Sequence, residues 1–415
     1  MKELSVVYRG FGASVVLGTL ADDGTAVLFQ YSPQAIEQRL ELSPLRLPLR
    51  QPAYPDAPGQ YRELHDVPGL VYDSLPDGWG YRLMHRRMRE KGLDPEHLST
   101  LDRLAYLGEN TMGALVYVPP QADIESAQDL TLMTLAQEIQ AVLNDDGYEV
   151  LAELARVGGS PGGARPKAQV FFNPLTGALS TRATQVPDGE PWLVKFAGDG
   201  DAADSCALEM LYARLAHACD LGMTATHLFE LPAGLQAFGT QRFDRRGAAR
   251  VHMHSLAGLL HANFQVPSVS YEDFFRATRR LTRDQRELVK AVRLCVFNVL
   301  MNNRDDHAKN ISFLREADGR WRLAPPYDLT YCSGYRGEHF MDVAGEGKAP
   351  TRAHVLAAAQ KAGLAPAVTR RVIDEVLECL TPSVMLAHAK ALPLARSTVT
   401  TVHRAMKANH IRLAK

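Results

Sequence analysis

The sequence predicts an α+β fold in two lobes, with a β-rich amino-terminal subdomain and a mostly helical carboxy-terminal lobe. Three observations predict it. At 415 residues the chain is too long for one ordinary hydrophobic core. Strand-like runs broken by turn residues open the chain and recur near 168–172, 192–196 and 235–243. Beyond residue 241 the pattern is mainly helical, interrupted by one polar loop at 302–310. The expected division is 1–120, a β-rich subdomain; 121–240, a small lobe with a glycine-rich loop; and 241–415, a helical large lobe.

Composition narrows the function classes. An apolar fraction of 46% and a charged fraction of 22% are those of a soluble globular protein. The formal charge of -1 gives no global basic field for nucleic acid. Five cysteines, with no C-x-x-C pair, suit a reducing cytoplasm better than a disulfide framework or a structural zinc site. The residues after Met1 hold no signal-peptide core, and no apolar run is long enough to span a bilayer. The expectation is a cytoplasmic protein with no membrane partner.

The elements follow in order. Ser14–Leu20 and Ala26–Tyr31 read as a hairpin closed at Asp23-Gly24. Proline-rich sequence from Ser43 to Pro58 wraps the surface. Leu75-Pro76-Asp77-Gly78-Trp79-Gly80 is a turn into a basic helix, Tyr81 to Lys91, with Trp79 as a core anchor. Pro119 to Ser126 reads as a linker, Leu130–Leu143 as a helix and Tyr148–Arg156 as a second, short one. Val157-Gly158-Gly159-Ser160-Pro161-Gly162-Gly163-Ala164-Arg165-Pro166-Lys167 then leads into a strand, Ala168–Phe172. Glycines let backbone N–H groups approach phosphate oxygens, although a tight hairpin explains them equally well. The G-x-x-x-x-G-K-[ST] pattern of a P-loop is absent.

Trp192–Phe196 is an apolar strand with Lys195 inside it, either on a solvated face or placed to hold α/β-phosphates. The helix Ser205–Cys219 follows with Glu209, which either braces Lys195 or lies on the surface. Leu235 to Arg246 is a strand running into a charged turn, a candidate hinge where backbone groups of Gln241, Arg242 and Phe243 meet an adenine edge. Thr282-x-x-Gln285 reads as a capping box for the long helix that precedes the polar loop. After Asp328 the chain reads as helical to its end, punctuated by prolines. Cys379 to Lys415 has no acidic residue, which fits nucleic acid, an acidic partner or a solvated helix face.

The polar loop carries the chemistry. In Asn302-Asn303-Arg304-Asp305-Asp306-His307-Ala308-Lys309-Asn310, Asp305 and Asn310 stand five apart, the interval of a protein-kinase catalytic loop. Phosphoryl transfer requires charge neutralised and oxygens held in line. Asp305 would orient or deprotonate the attacking hydroxyl, and Asn310 and Asp328 would hold Mg²⁺ as hard oxygen ligands. Lys195 would neutralise phosphates, and Lys309 would stabilise the transferring group. Asp306 falls one residue short of the Asp305–Asn310 interval. His252, His254 and His261 lack a nearby carboxylate or cysteine, so a zinc site there is disfavoured and a surface position expected. No G-x-S-x-G elbow points to nucleophilic hydrolysis.

In this order the parts resemble the HipA family, serine/threonine kinase toxins of bacterial type II toxin–antitoxin systems. The matching stretches are Ser160 to Lys167, Trp192-Leu-Val-Lys195-Phe, Leu208-Glu209-Met210, Arg242-Phe-Asp-Arg245, Asp305-Asp-His-Ala-Lys-Asn310 and Tyr327-Asp328. Leu75-Pro-Asp-Gly-Trp79-Gly and Gly108-Glu-Asn-Thr-Met-Gly-Ala-Leu115 look like the family's amino-terminal subdomain. The resemblance implies a protein-kinase-like fold, ATP and Mg²⁺, with Asp305 as catalytic base and Asp328 as metal ligand. It implies nucleotide contacts at Gly162, Gly163, Ala164, Arg165, Pro166, Lys167, Lys195, Gln241 to Phe243, His307, Lys309 and Asn310, with Tyr327 beside Asp328. It also implies autophosphorylation at Ser160, which silences the kinase, and a small helix-turn-helix antitoxin through which DNA is met indirectly. The chain departs from many relatives at His254-Ser-Leu-Ala-Gly258, so the family's targets are not carried over and the protein substrate stays unidentified. A non-catalytic co-repressor scaffold and a small-molecule kinase are the alternatives.

Overall fold

The computed structural model describes residues 1–54, 61–120, 129–144, 152–159 and 162–415. They gather into two compact units, Met1–Ala203 with His227–His254, and Asp204–Thr226 with Ser255–Lys415. The expected division follows chain order, whereas packing groups the Ser205–Ala218 helix with the helical unit.

Among its described residues the first unit holds two larger sheets and a short antiparallel ribbon, Arg245–Arg246 with Ala249–Arg250. In one, the strands run in the order Val27–Tyr31, Val15–Asp22, Lys2–Tyr8, Leu115–Val118. Val27, Phe29 and Tyr31 are buried while Leu28 and Gln30 face out, the two-residue alternation of a strand with one wet face. The expected hairpin is present. Asp23 accepts from the N–H groups of Thr25 and Ala26 at 2.8 and 2.9 Å, and Gly24 supplies the left-handed residue at φ +87°.

The second sheet runs Leu179–Ser180, Lys167–Phe172, Glu190–Phe196, Gln236–Gln241, Thr226–Glu230. Val170, Phe172, Trp192, Val194 and Phe196 pack with Leu135 and Ile139 of the Leu132–Leu143 helix and with Leu154 and Val157. Trp79 and Leu83 of the Gly78–Glu90 helix complete this core, so Trp79 is the anchor its sequence position indicated. Burying each large side chain stabilises the unit by about 1.5–3 kcal/mol.

In the second unit the Gln285–Met301 helix is the axis. From Leu288 onward it is buried nearly all round, against the helices Tyr271–Thr282, Pro366–Cys379 and Arg396–Ala414. Its amino terminus corrects the capping-box expectation. Arg283, at φ +53°, ends the preceding helix, and Thr282 turns back to donate to Thr278 O at 2.8 Å. Asp284 is the cap instead, accepting from Arg286 N at 2.9 Å. A second correction concerns 329–351, which is irregular apart from one 3₁₀ turn, Tyr335–Gly337; regular helices resume at Arg352. Pro366 and Pro382 each open a helix, where a missing N–H costs nothing. The basic carboxy-terminal stretch forms the Arg396–Ala414 helix, burying Val402, Met406, Asn409 and Leu413.

Candidate active site

The polar loop is held from beneath by the end of the axial helix. The last carbonyls of a helix lack intrahelical donors. Here the Tyr212 hydroxyl donates to Met301 O at 2.5 Å and Asn409 Nδ2 to Val299 O at 2.9 Å. Asn302 ends the helix in the left-handed region at φ +56°, which asparagine tolerates, and ties itself to Cys332 O at 2.9 Å. Arg304 then reaches Ser333 O at 3.1 Å and Lys348 O at 3.0 Å.

The two adjacent carboxylates are treated differently. Asp306 is buried, and its oxygens accept from the Tyr271 hydroxyl at 2.7 Å, His339 Nδ1 at 2.8 Å and Phe340 N at 2.9 Å. Asn298 Nδ2 donates to the Tyr271 oxygen at 3.0 Å, and Asn303 Nδ2 to Asn298 Oδ1 at 3.0 Å, extending a buried polar chain below the loop. Burial, with the Asp306 charge beside it, raises the Tyr271 pKa well above its ordinary value, so this phenol stays a donor. Asp305 keeps 56% of its side chain exposed, with His307 Nε2 at 4.0 Å. Asn310 Nδ2 donates to Asp305 O at 2.9 Å, which orients its amide and turns Oδ1 away from that carbonyl.

The strands Ser312–Arg315 and Trp321–Leu323 form a hairpin that brings the chain back to the loop. The Tyr327 hydroxyl donates to Lys309 O at 2.6 Å and meets Ser312 Oγ at 2.7 Å. Tyr327 is thus a brace that ties the Asp328 segment to the Asn310 segment. Asp328 itself sits at φ +54°, in the left-handed region that aspartate, like asparagine, tolerates. Phe264, which sequence reasoning missed, packs its ring 5.2 Å from that of His307 and lies 4.7 Å from Lys309 Nζ. Nothing in the residues around Phe264 signals that role.

The first unit supplies a second set of candidates. Lys167 and Lys195 are directly opposite in antiparallel strands, and both are buried. Like charges so placed repel, and the arrangement suits a polyanionic ligand. The glycine-rich loop leans on the Pro76–Gly80 turn. The Asp77 carboxylate accepts from Gly163 N, Trp79 Nε1 donates to Lys167 O at 3.2 Å, and Lys167 Nζ donates to Gly162 O. A Cβ on Gly78 would come within 2.5 Å of Ala164 Cα, so glycine is required for that approach. Arg165 pairs with Asp201 at 3.1 Å, alongside Pro166. Ser160 lies outside the described residues. Glu209 is buried in the second unit, not on its surface.

Arg242 is used differently from a nucleotide contact through its side chain. Its Nε and Nη2 bind Asp244 at 2.9 and 2.8 Å, and its N–H is spent on Pro191 O at 2.9 Å. Asp244 also accepts from Arg245 at 2.7 Å and from Gly113 N at 2.8 Å, while Arg250 donates to Gly113 O at 3.0 Å and Thr111 O at 2.8 Å. The two motifs Arg242–Arg245 and Gly108–Leu115 therefore form one clamp. Gln241 Nε2 donates to Glu190 at 2.6 Å, and Phe243 follows it into the turn.

Of the histidines expected at the surface, His252 and His254 are buried. His254 bridges Asp73 at 2.5 Å and Ser43 at 2.9 Å, and His252 Nε2 lies 3.3 Å from Leu42 O, which makes them polar core contacts. All five cysteines are free thiols. Among the described residues no helix is long and apolar enough to cross a membrane.

The donor set at the loop fits a magnesium–nucleotide group. Asn310 Oδ1 and the Asp328 carboxylate are hard oxygens, and His307 Nδ1 is a buried polar atom without a hydrogen-bond partner among the described residues. No group of three or more His, Cys, Asp or Glu side chains able to hold a metal occurs among those residues. Mg²⁺ needs only one or two protein carboxylates when phosphates complete its shell.

The HipA-like C-terminal domain family model matches residues 159–383, and the HipA N-terminal domain model matches residues 11–118. No curated protein matches. The fold is similar to that of HipA from Shewanella oneidensis MR-1, solved with HipB and its operator DNA, with a TM-score of 0.71 at 19% identity over 99% of this chain and 97% of that one. The Helicobacter pylori proinflammatory kinase CtkA matches 55% of this chain and 90% of its own at TM-score 0.42 and 12% identity, a likeness too slight to carry an argument. With one family model spanning more than half of its residues and a second over its amino-terminal part, the chain belongs to the HipA family.

Proposed function

We propose that this chain is an ATP-dependent serine/threonine protein kinase and the toxin of a toxin–antitoxin pair. One observation carries the reading: Asp306 is buried and bound by three donors, while its neighbour Asp305 stays exposed beside Asn310. One carboxylate anchors the loop and the other faces solvent. Asp305 orients the attacking hydroxyl and takes its proton, a contribution of about 10²–10⁴-fold for a positioned general base. Asn310 and Asp328 would hold Mg²⁺, Lys309 stabilises charge on the transferring group, and Lys195 neutralises α/β-phosphates. ATP supplies the phosphoryl group when bound. The loop from Gly162 to Lys167 covers the phosphates, and backbone groups of Gln241 and Phe243 contact the adenine edge.

The Shewanella protein's complex with HipB and operator DNA supports a small helix-turn-helix antitoxin as partner, with DNA reached through it. Ser160, by motif position, is the self-inactivation switch. A phosphate there adds about −1.5 to −2 charge, which bound ATP phosphates repel. Intact-mass measurement of wild type and Asp305→Asn tests this: phosphate occupancy unchanged in the variant argues against self-modification.

The activity itself is tested by incubating the full chain with γ-labelled ATP and Mg²⁺. Label on protein that Asp305→Ala abolishes supports the kinase. Wild type without label supports the co-repressor scaffold, and label on a metabolite supports a small-molecule kinase.

A further inference from the structure

We infer that the second unit carries a separate binding site for a compact oligophosphate. A shallow hollow of about 400 Å³ is lined by Arg276, Arg279, Arg280, Arg283, Lys361 and Ala362. Arg276, Arg279, Arg280 and Arg283 recur at three- and four-residue intervals, which puts them on one face of the Tyr271–Thr282 helix and its cap. Like charges at this spacing destabilise a helix unless something opposes them. The chain as a whole is nearly neutral, 46 basic residues against 47 acidic, so this density is local.

The rim is built and the centre is left over. Arg276 Nη2 is held by Asp273 at 2.7 Å and Lys361 Nζ by Glu272 at 2.6 Å. Arg279 Nη1 donates to Ala362 O at 2.8 Å, a position open only because residue 363 is glycine; a Cβ there would lie 1.8 Å from Nη1. Arg280 and Arg283 are exposed, and the side chain of neither makes a hydrogen bond or ion pair with a described residue. Five cations thus face two carboxylates, both already engaged.

The lining identifies the ligand class. Guanidinium forks match phosphate oxygens two at a time. No aromatic ring among the lining residues offers a base a stacking surface, and no carboxylate among them offers a sugar hydroxyl an acceptor. The volume suits a short run of linked phosphates, whereas a DNA duplex presents a convex surface that does not enter such a hollow. Arg280 lies roughly 13 Å along the helix from Tyr271, at 1.5 Å per residue, so the hollow is distinct from the Asp305 loop.

Equilibrium dialysis of the full chain against labelled tripolyphosphate, without magnesium and at constant ionic strength, tests the site. Lys195→Gln, which removes the phosphate contact assigned to the kinase site, is expected to keep tripolyphosphate binding at the arginines, and adding Arg280→Gln/Arg283→Gln to that variant is expected to weaken the remaining binding at least tenfold. Both arginines are exposed, and an unchanged unfolding midpoint verifies the fold of that variant. The inference is overturned if wild type binds no tripolyphosphate, if Lys195→Gln loses all binding, or if adding Arg280→Gln/Arg283→Gln to Lys195→Gln leaves the remaining binding unchanged. Tighter binding of a DNA duplex through the same arginines also overturns it. Retained binding by Lys195→Gln stands whether or not the chain proves to be a kinase.

Discussion

The Tyr271 hydroxyl donates to Asp306 Oδ2 at 2.7 Å, and both side chains are out of solvent. Leaving a buried carboxylate one donor short costs about 1–3 kcal/mol. Tyr271→Phe is therefore expected to lower the unfolding free energy by that amount, read as a shifted urea midpoint at unchanged slope. A midpoint equal to wild type would mean that this contact does not hold the loop.

Asp244 is the centre of the amino-terminal clamp. Burial opposes its charge, but Arg242 and Arg245 outweigh that, so its carboxyl sits well below the ordinary carboxylate range. A depressed folded-state pKa adds stability above the unfolded value, about 3.9, and that stability is lost as pH falls through the folded value. Asp244→Asn is expected to cost about 3–5 kcal/mol at pH 7, since it leaves buried arginines without their partner. The gap to wild type should be constant from about pH 5 to 8 and narrow below about pH 4. A gap that changes between pH 5 and 8 would point to another group.

Lys195 stands opposite Lys167, both buried. If they receive phosphates, Mg²⁺-ATP at about 100 times its Kd should stabilise the wild type by about 2.7 kcal/mol. Lys195→Met should abolish most of that shift in a thermal melt. An undiminished shift would remove Lys195 from the nucleotide site.

Gly163 sits at φ +103°, and a Cβ there would lie 2.3 Å from Lys167 Nζ. Gly163→Ala should cost about 1–3 kcal/mol in backbone strain and displace the lysine from Gly162 O. Weaker ATP binding with a lowered unfolding midpoint is the expected pair of results. Wild-type values for both would show that the loop adapts freely.

Legibility in the sequence tracked locality. The hairpin at Asp23-Gly24, the Trp79 anchor and the kinase-like interval from Asp305 to Asn310 depend on neighbours a few residues apart, and their patterns carry them. The contacts that organise the site depend on distant ones. Asp77 meets Gly163 across 86 positions, and Gly113 meets Asp244 across 131, pairings that no local pattern encodes. Arg242-Phe-Asp-Arg245 reads locally as a charged turn, and nothing near it in the chain shows the ion-paired clamp that it forms. The histidines at 252 and 254 were expected at the surface because their partners, Leu42, Asp73 and Ser43, lie far away in the chain. Thr282 misled because a left-handed residue at 283 moved the helix start by two positions.

The most direct test of the division between Asp305 and Asp306 is the rate of γ-phosphate transfer by Asp305→Asn, taken with its unfolding free energy. The expected result is a rate at least about 10² below wild type with stability unchanged within about 0.5 kcal/mol. Transfer at the wild-type rate would contradict the assignment of the exposed carboxylate as the reacting group.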